Sequence, residues 1–150
     1  KAEPREISDP LIVPRGTSRP RKYSELREAQ IAVTGLGPVP PKERGDFIRA
    51  ALFVENAEKL NEDVMRAAIR RGAVGEIGGS FFDASGRRVG TGWRVAGLSH
   101  RDLQEMATKG RMVLIAGGDV REHPGIRGAL RGGLVSVLVT EPATARALLA

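Results

Sequence analysis

Apolar residues in this chain fall into short runs bounded by turn residues. The two sharpest are Met112 to Ala116, followed by Gly117-Gly118, and Leu134 to Val139, followed by Thr140-Glu141. Each is too short for a helix spanning a core and lacks alternating polar positions, which is the pattern of strands buried on both faces of a parallel sheet. Helical segments follow both. A further β-type run, Ile31-Ala32-Val33, ends at Thr34-Gly35-Leu36-Gly37-Pro38, and Leu11-Ile12-Val13 is a short apolar run near the start. Tyr23 to Glu28 reads as a helical turn. Asp46 to Val54 and Asn61 to Arg71 read as helices, the second with Val64, Met65, Ala68 and Ile69 on one face and Gly72 as its C-terminal cap. Ala73 to Phe82 is β-type, and Ala84-Ser85-Gly86 turns it towards Arg87-Arg88-Val89, a β-hairpin and hence an antiparallel excursion. Ser99 with Asp102 three residues on marks a helix start and Gly110 its end. Pro124 opens the next helix and Gly132-Gly133 stop it.

The expected fold is therefore α/β: a mostly parallel open sheet of about four or five main strands flanked by helices, with a small β-hairpin excursion. Open sheets of this kind bind ligands in the crevice beyond the carboxyl ends of their strands. Here those ends carry Ala116-Gly117-Gly118-Asp119 and Thr140-Glu141, small and polar as a crevice requires.

Composition narrows the function classes. The 150 residues suit one domain or part of a larger one, and 41% hydrophobic residues suffice for a core. No stretch approaches the ~20 apolar residues needed to cross a membrane. Lys1-Ala2-Glu3-Pro4-Arg5 lacks the apolar segment of a signal peptide, so the cytoplasm is the default compartment. Without cysteine there are no disulfides or thiolate sites, and two distant histidines give no metal set; neither metal nor cofactor is expected. The net charge of +6 invites a nucleic-acid reading, but basic residues are mostly interleaved with acidic ones. Only Arg15 to Arg27 is locally dense, and 4% aromatics leave no base-stacking surface, so a solvated basic loop is the better account. Residues 1–29 read as a basic, Pro/Arg-rich arm or connecting segment, and 30–150 as the domain.

Gly117-Gly118, between a buried strand and a helix, is the sharpest chemical constellation. Its N–H groups can face an anion at a helix N-terminus, with Arg121 able to pair a phosphate bidentately. An ordinary tight βα turn also wants glycine. It is not a P-loop, since no Gly-Lys-Ser/Thr follows. Gly35-Leu36-Gly37 runs into Pro38 rather than a helix, so a dinucleotide fingerprint fails too. Glu76 sits in the apolar run Ala73 to Ile77, where a carboxylate must be paired, protonated or facing a cavity. It can accept hydrogen bonds from sugar hydroxyls or act as a base; the plain alternative is an exposed position on a half-buried strand. Asp83 is a turn former. His100 and His123 fall near helix starts, in solvated or capping roles, and Trp93 is a packing residue. No Ser-His-Asp set or paired-acid spacing stands out.

Taken together, these segments resemble SorC-type transcriptional regulators. Gly72-Ala73-Val74-Gly75-Glu76-Ile77-Gly78-Gly79-Ser80-Phe81-Phe82-Asp83 resembles one family segment, and Ala116-Gly117-Gly118 with Arg121 resembles the family's Ala-Gly-Gly turn. The tail from Ala129-Leu130-Arg131-Gly132-Gly133-Leu134 to Val139-Thr140-Glu141 resembles the family's ending, and Thr34-Gly35-Leu36-Gly37 its Gly-Ile-Gly after a strand. The matches run in family order from about residue 30 to the end. Glu76 and Glu141 stand where the family has Asp, Ser80 where it has Arg, and Arg121 where it has Lys; Arg and Lys differ in shape at equal charge. One extra residue lies between Gly118 and Ile126. The family's helix-turn-helix and an earlier Gly/Thr/Ser-rich phosphate loop have no counterpart in this chain.

The resemblance implies the C-terminal part of a sugar-binding effector domain with a fold similar to sugar-phosphate isomerases and deaminases. It implies a sugar or phosphosugar effector, a homo-oligomer whose state controls operator affinity, DNA contact only through a domain absent from this chain, and no catalysis. The residues expected to bind the ligand are Gly35, Gly37, Glu76, Gly117, Gly118, Arg121 and Thr140. Two rival readings are an isomerase- or deaminase-like enzyme with Glu76 as base, and an oligomerisation module without a working ligand site.

Overall fold

The computed structural model describes residues 11–14, 25–39, 58–96 and 98–150. The helix expected over 46–54 and Tyr23 lie outside them. In chain order the elements are β1 (Leu11–Pro14), a 3-10 turn (Glu25–Glu28), β2 (Ile31–Thr34), β3 (Gly37–Pro38) and α1 (Glu58–Arg70). There follow β4 (Gly75–Ile77), β5 (Ser80–Phe82), β6 (Trp93–Ala96), α2 (His100–Thr108) and β7 (Met112–Ala116). A 3-10 turn (Val120–Glu122), α3 (His123–Arg131), β8 (Val137–Val139) and α4 (Pro142–Leu149) complete the chain.

The helix signals read from sequence hold. Gly72 takes φ +79° and its N–H, with that of Ala73, closes onto Ile69 and Ala68 carbonyls to end α1. Ser99 and Asp102 form a reciprocal capping box on α2, and Asp102 also pairs with Arg27 at 2.9 Å. Pro124 lies in the first turn of α3 and the N–H of Gly132 closes its last, on Gly128 O.

The sheets differ from the expectation in two ways. Among the described residues parallel pairing joins β2, β7 and β8, in the order β2-β7-β8, while β3-β4-β5 and β1-β6 are antiparallel. The expected antiparallel excursion is larger than one hairpin, because Ala73 to Phe82 is not one strand. It folds back at Gly78-Gly79, both at positive φ (56° and 77°), which pairs Ile77 with Ser80. The second turn, at Asp83 to Gly86, brings Arg88 back against Phe82, and Asp83 Oδ1 accepts from Ser85 and Arg87 N–H at 2.9 Å, the expected turn former.

The second difference concerns burial. The parallel strands are buried on one face, not both. Register places Ile31 beside Met112, Val33 beside Leu114 and Val137, and Ala116 beside Val139. On this face Ile31 is 58% exposed, Val33 73% and Val139 53%. On the other, Val113 and Ile115 are fully buried against Leu103 and Met106 of α2 and Ile126 and Ala129 of α3. Both helices pack on the same side, and a run apolar at every position cannot declare which side that is. The run Leu134 to Val139 also splits: Leu134 and Val135 plug the core from the connection, and the strand begins at Val137.

A second cluster, Met65, Ala68 and Ile69 of α1 with Val39, Ala73 and Phe81, packs on the antiparallel sheet. Register puts Gly37, Glu76 and Phe81 on this face, while Gly75, Ile77 and Phe82 face the main core. Close contact between Gly75 and Gly125 seats α3 against β4.

Candidate functional site

The residues expected to bind a ligand lie in two neighbouring groups. The first is Gly37 with Glu76. β2 ends at Thr34, and the chain passes through Gly35 and the buried Leu36 into β3, where Gly37 pairs with Glu76. The Glu76 carboxylate lies over that glycine: a Cβ at Gly37 would sit 2.6 Å from Oε1. Its other oxygen accepts from Gly79 N–H at 2.7 Å. Burial pushes the Glu76 carboxyl up from 4.5 to about 7, the single N–H from Gly79 offsetting only part of the desolvation. Of the alternatives open in the sequence, Glu76 is thus the partly buried carboxyl, able to exist as acid or anion near neutral pH. Gly35 has open space where a side chain would be.

The second group gathers at the ends of β7 and β8. Gly117 N–H donates to Val139 O at 3.1 Å, tying the two strand ends together. Gly118 N–H donates to Glu122 Oε2 at 2.9 Å, and its carbonyl accepts from Thr144 Oγ1 at 2.6 Å. Thr144, buried at the first turns of α4, also meets Glu141 Oε1 at 3.2 Å and His123 Nε2 at 3.1 Å. Thr140 Oγ1 is buried without a hydrogen-bond partner. Arg121 is exposed and forked onto Asp119, Nε to Oδ1 at 2.9 Å and Nη2 to Oδ2 at 2.7 Å. That fork, with the Arg121 backbone N–H, holds the Asp119 carboxyl down at about 2. β3 runs beside the short turn carrying Arg121 and Glu122, which brings the two groups near each other.

Two side chains here carry no reading from sequence, Glu122 and Thr144, while His123, expected in a solvated or capping role, meets Thr144. The signal for Glu122 was its position four residues after Gly118, within reach of the turn's N–H groups. Thr144 gave none, because its role depends on α4 folding back over the Gly117-Gly118 turn. One expectation is corrected. His100 is not solvated but buried, 7% exposed, with Nδ1 unpartnered. Burial holds its pKa below the ordinary value, and the Arg88 charge adds to this. The hairpin loop that brings Gly86 and Arg88 to the start of α2 covers it, a contact invisible to local patterning. Among the described residues no group of acidic or histidine side chains could hold a metal ion.

Residues 21–150 match the family described as "Putative sugar-binding domain". The chain belongs to that family. It is 38% identical over 122 residues to the transcriptional regulator LsrR of an Enterobacter species, an alignment covering 81% of this chain and 35% of the regulator. The solved domain of the same description from a transcriptional repressor of Vibrio fischeri is 30% identical, with TM-score 0.62 over 85% of this chain and 47% of that one. The full-length sorbitol operon regulator SorC of Klebsiella pneumoniae, 19% identical, shares the fold at TM-score 0.65 over 87% of this chain and 40% of that one. The chain thus spans between a third and a half of the proteins it matches, and their regulator class agrees with the SorC-type resemblance read from the motifs. No helix among the described residues is long and apolar enough to cross a membrane.

Proposed function

We propose that this chain is the effector-binding module of a bacterial, carbohydrate-responsive DNA-binding regulator. Sugar binding shifts the population of its assembly states, and a DNA-binding part outside residues 1–150 reads that shift. Residues 30–150 form the sugar-binding unit and 1–29 the arm that connects it; the protein works in the cytoplasm as a homo-oligomer. The observation that carries the reading is the Glu76 carboxyl held over Gly37 near its point of half-protonation, a group suited to hydrogen-bonding hydroxyls as donor or acceptor. The unpartnered Thr140 hydroxyl supports it, since a buried polar group without a partner asks for one. Gly35 and Gly37 line one part of the crevice. Gly117, Gly118 and Arg121, with Thr140, form its other end.

The module is not an enzyme in this reading. Proton transfer by Glu76 would call for a second acid or base, and among the described residues its hydrogen-bond partner is the Gly79 N–H. A thermal-shift panel of sugars and sugar phosphates is the test. Ligand at ~100 times its dissociation constant adds about 2.7 kcal/mol. Stabilisation by one member, lost in Glu76→Ala, is the expected result. Silence across the panel, or turnover of a sugar phosphate abolished in Glu76→Gln, would overturn it.

A further inference from the structure

We propose that Glu122 determines the charge of the effector. Its carboxylate is the resident anion of the Gly117-Gly118 turn, so this end of the crevice takes a neutral, hydroxyl-bearing group and turns a phosphate away. The inference rests on the sugar-binding reading above and adds a ligand class to it.

The turn has the features of an anion cradle, two glycines at a strand end with an α-helix beginning a few residues on. Its Gly118 N–H, however, is held by Glu122 Oε2 at 2.9 Å, and the same oxygen lies 2.6 Å from where a Cβ of Gly117 would be. The carboxylate fills the space that the missing side chain leaves. Glu141 adds a second acidic side chain, its carboxyl carbon 3.4 Å from a Cβ position at Gly118. Arg121, the cation nearest in sequence, spends both ends of its fork on Asp119. A phosphate entering here would meet two carboxylates and a cation already paired. Like charges at such distances repel, and a site built this way discriminates by rejection as much as by attraction. A sugar hydroxyl meets the opposite situation, because a carboxylate accepts its proton in a charge-assisted hydrogen bond.

Thr144 and His123 make the arrangement a built one. Thr144 Oγ1 donates to the Gly118 carbonyl at 2.6 Å and lies 3.1 Å from His123 Nε2, which ties the turn to the starts of α3 and α4. Glu122 therefore faces a fixed N–H and not a loop free to turn away.

The test uses inorganic phosphate as probe on the full chain and on Glu122→Ala, with Glu122→Gln as the isosteric control and circular dichroism to confirm that each variant folds. Phosphate stabilises proteins generally by exclusion from their surfaces, so the quantity read is the difference between variants at equal ionic strength. The expected result is that E122A gains a phosphate-dependent rise in Tm of about 2 °C or more over the unmodified chain. The Gly118 amide cross-peak moves with phosphate in E122A and stays fixed in the unmodified chain, with E122Q between them. An equal response in all three, or no Gly118 movement in E122A, overturns the inference. Neutral sugars are run beside phosphate. Their binding answers for the sugar-binding reading alone, so each idea can fail without the other.

Discussion

Glu76 and Asp119 are two carboxylates of the candidate site with opposite fates. Glu76 lies over Gly37 with one N–H donor and its carboxyl is pushed up to about 7. Asp119 stands in water, gripped by the backbone N–H and both ends of the guanidinium of Arg121, and is held down at about 2. Geometry rather than residue type separates them. One hydrogen bond does not offset loss of hydration, whereas three bonds from a cation's residue exceed a desolvation that is nearly absent. The difference assigns roles. Glu76 changes charge near physiological pH and can donate or accept, while Asp119 is a fixed negative charge that keeps Arg121 occupied.

The most direct blow to the comparison is struck at the glycine, not at the acid. Gly37→Ala puts a methyl group 2.6 Å from Glu76 Oε1, and the carboxylate is held on its far side by Gly79 N–H. Overpacking of this kind costs about 1–3 kcal/mol. We expect Tm to fall by about 2–4 °C per kcal/mol for a chain of this size, with loss of any sugar response. In a Glu76→Ala background the penalty should shrink, because the clashing atoms are gone. An equal penalty in both backgrounds would mean that Gly37 is needed for its backbone and not for its closeness to Glu76.

Glu76→Gln sharpens the comparison through pH. Below 4.5 both folded and unfolded chains keep the Glu76 proton. Between 4.5 and about 7 the unfolded chain releases it and the folded chain holds it, so the stability it contributes drains away as pH rises through that window. The full change is on the order of 3 kcal/mol at about 1.4 kcal/mol per pKa unit. His100 runs the other way: its folded pKa is depressed, so its contribution is present above the unfolded value of 6.5 and lost as pH falls. Denaturant midpoints for the chain and E76Q from pH 4 to 8 separate the two. The difference curve should slope through the Glu76 window, and a flat one would show that Glu76 is solvated.

Among the described residues the helices are legible in the sequence, because their signals are local: Gly72, the Ser99-Asp102 pair, Pro124 and Gly132-Gly133 each act within a turn of their own residue. It carried the strands at Ile31 and Met112 for the same reason. What it did not carry depends on contacts distant in the chain. Val33 and Ile115 both look like core strand residues, yet Val33 is 73% exposed and Ile115 fully buried, since α2 and α3 share one side of the sheet. The Gly78-Gly79 fold-back was there to be read in the double glycine but was hidden within an apolar run. Glu76 is legible as an anomaly among apolar neighbours, and its carboxyl is buried. Glu122 was passed over because a glutamate in the first turn of a helix is unremarkable until its partner is known to be the N–H of Gly118.

The smallest expected effect is that of Asp119→Asn. The side chain is exposed, and asparagine keeps an acceptor for the Arg121 N–H that Asp119 Oδ1 now binds at 2.8 Å. Its depressed pKa supplies stability that is fully present above the unfolded value of 3.8 and lost as pH falls through about 2, so between pH 4 and 8 the gap between chain and variant should not change with pH, and full exposure keeps that gap small. Its informative effect is on Arg121. With the fork released, the guanidinium is free to meet an anion, but Glu122 still holds the Gly118 N–H. Asp119→Asn alone should therefore leave the phosphate response almost unchanged, while the same change added to Glu122→Ala should raise it beyond E122A. If D119N alone produced the response, the Asp119-Arg121 pair and not Glu122 would be what keeps phosphate out.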